Sequence, residues 1–178
     1  MYKKIFFNLF LVFFLVFFQI SFVSALPFNL SSLNLILIVF VFLLELKDLK
    51  TTLIWVLGSG FLIDIFYFHT AGVYLLSFFI SFLFMSFLLR HFFTNRSLYS
   101  FLALIFFGQI IFKISYYSYR FLIDFIMRKN FNYIFNLEFF KNEFIVLGIN
   151  ILAVTIFFYF FIYFSSNFKP VFLFKRKN

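Results

Sequence analysis

Six long apolar runs, each near the roughly 20 residues that a helix needs to cross the hydrocarbon of a bilayer, restrict what this chain can become. They are Ile5 to Leu26, Leu30 to Leu46, Thr51 to Phe68, Ala71 to Leu89, Leu98 to about Ile126, and Phe144 to Ser165. Lipid offers no hydrogen bonds, so a segment that spans it must satisfy its own backbone, which a helix does. The sequence therefore predicts an all-α, polytopic membrane protein. It forms a single transmembrane domain over residues 1–178, with six transmembrane helices and the N-terminus and C-terminus both cytoplasmic.

Composition agrees with that class: 65% of residues are hydrophobic and only 12% charged, against roughly 25% charged in a soluble domain. Phe supplies 40 residues and reads as a generic apolar filler rather than a stacking platform. The net charge of +9 does not mark a nucleic-acid surface, because the basic residues lie in small groups at the ends of apolar runs. They are read as determinants of topology, with the lipid bilayer as partner and no nucleic acid. One side of the membrane receives Lys3, Lys4, Lys47, Lys50, Arg90, Arg96, Lys169, Lys175, Arg176 and Lys177. The other receives only Arg128, Lys129 and Lys141. The richer side is the cytoplasmic one by the positive-inside rule.

The basic start and apolar run of the first 27 residues also fit a signal peptide, but a run of this length exceeds a signal core and predicts a retained helix. The third and fourth runs are separated by so few residues that they should form a tight helical hairpin. The stretch RKNFNYIFNLEFFKN, which begins at Arg128, mixes Phe with charge and should lie along the outer membrane surface. With Pro27 and Pro170 both outside the runs, nothing separates a second domain.

Asp64 is the least expected residue in this background. A carboxylate near the bilayer interior costs roughly 2.5–3.5 kcal/mol on insertion scales, so it must be paired, neutralised or needed. Gly60, one turn earlier, would let a neighbouring helix approach on the same face. On the fifth helix Gln109, Lys113, Tyr117, Arg120 and Asp124 fall on one stripe. Lys113 lies at about the depth of Asp64, so the sequence predicts that these two pair. Arg120 and Asp124, four apart, suggest a second pair, with Tyr116, Tyr117 and Tyr119 at the interface.

Other polar residues read as structural. Ser59, Ser77, Ser81 and Ser86 should pack between helices or bond to backbone. His69 and His91 lie at opposite ends of their helices and cannot share a metal. The sequence has no Cys, no Gly-rich phosphate loop and no paired-His zinc motif, so no catalytic residue, cofactor or metal is assigned.

From about Leu33 to Arg90 the chain resembles the MreD family, small membrane subunits of the bacterial rod-shape and cell-elongation machinery. The resemblance rests on NLILIVFVFLLELKDLK, then Gly60 to Asp64 as Gly-x-x-x-Asp, then Gly72 within HTAGVYLLSFF, then Arg90 within LLRH. Ala71 stands where the family usually has Leu. The resemblance implies a non-enzymatic scaffold in the bacterial cytoplasmic (inner) membrane. It would bind the bitopic protein MreC and, through it, the MreB filament and the peptidoglycan synthesis enzymes of the elongasome. Gly60, Asp64, Gly72, Lys113, Arg120 and Asp124 are the structural or partner-binding candidates.

A second reading is the substrate-binding membrane component of an energy-coupling-factor type small-molecule transporter, with Asp64, Lys113 and Arg120 lining a solute pocket. A third is a membrane enzyme using Asp64 or Asp124 as a base, although neither has a second carboxylate or His on its face.

Overall fold

The computed structural model describes residues 2–46, 49–67, 72–93, 97–126 and 137–164. Lys47, His69, Ala71, Arg96, Arg128, Lys129 and the basic residues from Lys169 onward lie outside them, as do the side chains of Lys3 and Lys4. The described residues form six α-helices and no strand: α1 (Tyr2–Ser21), α2 (Leu35–Leu46), α3 (Leu49–Phe66), α4 (Val73–His91), α5 (Leu98–Ile126) and α6 (Leu137–Phe164). Two short 3-10 turns, Val23–Ala25 and Phe28–Ser32, join α1 to α2.

The long helices make an open ring. α1 packs on α3, α3 on α4, α4 on α5 and α5 on α6, whereas α1 and α6 do not touch. The short α2 stands inside the ring and contacts all five others. Its whole length is apolar, and Ile36, Leu37, Ile38, Phe40 and Val41 are almost wholly buried. Phe40 meets the Phe78 ring edge-on at 5.4 Å. Phe78 in turn stacks on Phe112 at 4.6 Å, so one aromatic column joins α2, α4 and α5.

On α1 the buried residues Asn8, Val12 and Val16 recur every four positions, which puts them on one face. That face meets α3 where Gly58 has no side chain: a Cβ there would lie 3.2 Å from Val12 Cγ1. Asn8 Oδ1 accepts from Trp55 Nε1 at 3.4 Å. Because residue 8 meets 55 and 12 meets 58, α1 and α3 run parallel. The remaining faces of α1 present Phe6, Phe7, Phe10, Phe14 and Phe17 outward, as a lipid-facing helix should.

Five helical segments are long and apolar enough to cross a membrane, and Leu35–Leu46 is not among them. The expected sixth span beginning at Leu30 is thus shorter. At 12 residues, α2 is about 18 Å long, well under the roughly 30 Å of hydrocarbon. The 3-10 turns displace the helix start to Leu35, where Asn34 caps it: Leu37 N–H donates to Asn34 Oδ1 at 3.1 Å. Side-chain amides satisfy the irregular backbone around this start. Gln19 Nε2 donates to Leu33 O at 2.9 Å, Leu35 N–H donates to Gln19 Oε1 at 3.0 Å, and Asn34 N–H donates to Asn150 Oδ1 at 2.8 Å. Asn150 is fully buried.

The last helix also departs from expectation. It begins at Leu137 rather than Phe144, so the part of the expected surface stretch that is described is helical and continuous with the span. α5 and α6, with 29 and 28 residues, are about 43 and 42 Å long, against about 28 Å for α4. Contacts locate the excess. Phe84 meets Phe107 and Tyr74 meets Tyr116, so α4 begins level with about residue 117 of α5. The rest of α5 and the start of α6, which pairs Phe139 with Tyr117, project beyond the α3–α4 turn.

Asn150→Leu should leave the Asn34 N–H buried without an acceptor and lower stability by about 1–3 kcal/mol. Thr155→Val, which removes only a bond back to Ile151 O, should change it by less than about 0.5 kcal/mol. Unfolding midpoints of the purified protein in detergent distinguish the two.

Candidate functional site

Gly60, Asp64 and Gly72 meet at the α3–α4 turn. Gly72 has φ +103°, a left-handed conformation that side-chain-bearing residues rarely adopt. It is the residue before α4 and has no side chain with which to cap it. Asp64 supplies the missing cap from the preceding helix. Its Oδ2 accepts from Gly72 N–H at 3.1 Å and Leu75 N–H at 3.0 Å, and its Oδ1 from Tyr74 N–H at 2.9 Å. Three of the donors that a helix start leaves orphaned are thereby satisfied, and the positive end of the α4 dipole faces the carboxylate. This is how a residue only 6% exposed retains its charge at acceptable cost.

Gly60 permits the approach. A Cβ there would lie 2.6 Å from the Leu75 Cα, so α3 and α4 cross with backbone against side-chain-free backbone. The close helix contact expected at Gly60 is present, and its partner is α4.

The expected Asp64–Lys113 pair is not formed. α3 and α5 do not pack on each other, because α2 and α4 lie between them. Lys113 instead bonds Glu143 of α6 at 2.9 Å. Tyr117, one turn along α5, donates its hydroxyl to the same Glu143 oxygen at 2.9 Å, and the Lys113 ammonium lies 5.8 Å from the Tyr117 ring centroid. Both charged side chains are about one-quarter exposed. This cluster ties the base of the projecting α5–α6 hairpin together.

Farther out, Arg120 Nη1 donates to Tyr116 Oη at 3.3 Å, and Asp124 lies one turn beyond on a partly exposed face. Around these charges Phe121, Leu122, Phe125, Ile126, Leu137 and Phe140 are at least half exposed. Gln109, at the other end of the stripe, is buried, and its Oε1 has no hydrogen-bond partner; nor has Ser81 Oγ on α4. Ser59, Ser77 and Ser86 bond back to their own helices, to Trp55, Val73 and Leu83 carbonyls respectively. His91 Nδ1 bonds Phe87 O at 3.0 Å.

Several polar residues that matter here carried no weight in the sequence reading. Glu143 is one; Glu45, which is buried at the end of α2 and accepts from Ser100 Oγ, is another. Among the described residues no three of His, Asp and Glu converge as metal ligands would.

No family model matches the chain, and neither a curated protein nor a solved structure is significantly similar to it. Its fold and composition define a multi-pass helical membrane protein.

Two sets of variants test this geometry in detergent unfolding. Asp64→Asn keeps one acceptor oxygen and should cost about 1–3 kcal/mol, while Asp64→Leu abandons all three N–H groups and should cost more. Gly60→Ala should cost about 1–3 kcal/mol by overpacking, whereas Gly148→Ala, with nothing within 4 Å of the added Cβ, should be neutral or stabilising by up to about 1 kcal/mol. A double-mutant cycle on Lys113→Met and Glu143→Gln should give a coupling of about 0.5–1 kcal/mol. The corresponding cycle on Asp64→Asn and Lys113→Met should give none beyond about 0.3 kcal/mol.

Proposed function

We propose that the protein is a non-enzymatic subunit of the bacterial cell-shape and elongation complex, of the MreD kind, embedded in the cytoplasmic membrane with both termini in the cytoplasm. The observation that supports this most is that Gly60, Asp64 and Gly72, on which the resemblance rests, meet in one clasp. Their spacing therefore has a mechanical meaning: it sets a tight, rigid α3–α4 hairpin. A rigid bundle suits a scaffold, whose work is to hold partners in fixed relation rather than to turn over a substrate.

The partner-facing part would be the projecting α5–α6 hairpin. Its charged residues, Lys113, Arg120, Asp124, Glu138, Lys141 and Glu143, cluster toward the end that extends beyond the α3–α4 turn. Apolar side chains stand exposed among them, and exposed apolar patches edged by polar groups mark interaction surfaces. On this reading MreC docks there on the outer side, and the peptidoglycan synthesis machinery is gathered through it.

Co-purification in mild detergent tests the reading. Tagged protein should capture MreC well above an unrelated bitopic control, and Phe125→Asp with Ile126→Asp should reduce capture about tenfold while the unfolding midpoint stays unchanged. Capture no better than the control would refute it. Reporter fusions at the two termini should both report a cytoplasmic location.

A further inference from the structure

The opening of the ring between α1 and α6 is an apolar groove of about 430 Å³ floored by α2. Leu15 lines it from α1, Val39, Phe42 and Leu46 from α2, and Phe157 and Phe161 from α6. Two features decide what it can hold. The first is size: an α-helix about 10 Å across occupies roughly 1,400 Å³ over the 18 Å length of α2, so the groove accommodates under a third of one. The second is composition. Helices that dock closely in membranes meet over Gly, Ala, Ser and Thr, and no such residue lines the groove. A slender, flexible, wholly apolar chain fits where a helix does not.

Charge indicates which kind. Leu46 marks the groove's end where α2 gives way to α3, and Lys50, four residues on, is exposed there. An ammonium at the mouth of an apolar groove, in a chain of net charge +9, complements a phosphate headgroup. The opposite end is closed by the turns that lead into α2, whose backbone is already bonded to Gln19 and Asn150.

We propose that the groove holds one acyl chain of an anionic phospholipid as a fixed structural ligand, with its headgroup at Lys50. The lipid completes the ring by filling the gap that α1 and α6 leave over α2. Annular lipid exchanges freely; this one is retained because three helices contact it at once.

Native mass spectrometry of the full chain released from mild detergent tests the proposal. The protein should retain one phospholipid, and in an equimolar mixture phosphatidylglycerol should be preferred over phosphatidylethanolamine at least threefold. Val39→Trp, which fills the groove, should reduce the adduct at least fivefold. Leu152→Trp, on an exposed face of α6 outside the groove, should not. Lys50→Gln should abolish the headgroup preference and keep the adduct. Should Val39→Trp fold poorly, a phosphatidylglycerol carrying a photoreactive acyl chain replaces it, and its crosslinks should concentrate on Val39, Phe42 and Phe161. Crosslinks spread evenly over Leu152, Ile156 and the outer face of α1 would show ordinary annular lipid and overturn the proposal. So would an unchanged adduct in a folded Val39→Trp protein, or a transmembrane protein found in the groove in place of lipid.

Discussion

In a bilayer each backbone group outside a helix must find a partner within the protein, and the polar side chains of this bundle are placed where that demand arises. Two sites carry it. At the start of α4 the three N–H groups of Gly72, Tyr74 and Leu75 converge on Asp64. At the start of α2 the amides of Gln19, Asn34 and Asn150 bind the backbone that precedes the helix. Each site also joins elements distant in sequence, so backbone satisfaction and helix association are achieved by the same contacts.

Ionisable groups follow a second rule. Those within the bundle are each bound to a local partner: Asp64 to a helix start, Glu45 to Ser100, and Lys113 to Glu143 and its neighbour Tyr117. None of these ties needs to reach across the bundle. The result is a tight set of helices from which α5 and α6 extend as a braced hairpin, with the Lys113–Glu143 bond placed where that hairpin parts from the shorter α4.

Much of this architecture is legible in the apolar runs. α5 has the bounds the sequence suggests, and α3 and α4 lie within two residues of them, because charges and a Gly-containing turn punctuate their ends. The start of α2 was harder, since hydropathy does not distinguish a 3-10 turn such as Phe28–Ser32 from the first turn of a helix. Asn34 before an unbroken apolar run was the available cue, being a good capping residue. For α6 the charges Glu138 and Lys141 suggested a surface segment, yet an acid in the first turn is what a helix start favours. The Asp64 partner was beyond reach. Depth along a helix can be counted from sequence, but which helices are neighbours depends on how α2 and α4 intervene between α3 and α5. Sequence spacing did identify Gly60, Asp64 and Gly72 as belonging together, and they do.

The order in which the ring closes bears on how the chain is made. Leaving α2 aside, each helix of the ring packs on the next one synthesised, from α1 through α3, α4 and α5 to α6. Assembly can thus follow translation, with each arriving span docking on the edge just formed. α2 is the exception: its 12 residues are a weak insertion signal, so the emerging ribosomal product must hold it in place through α3 and the following helices. Biogenesis of the whole bundle therefore depends on the short α2–α3 connection keeping an incomplete span in the membrane until its enclosure has been synthesised.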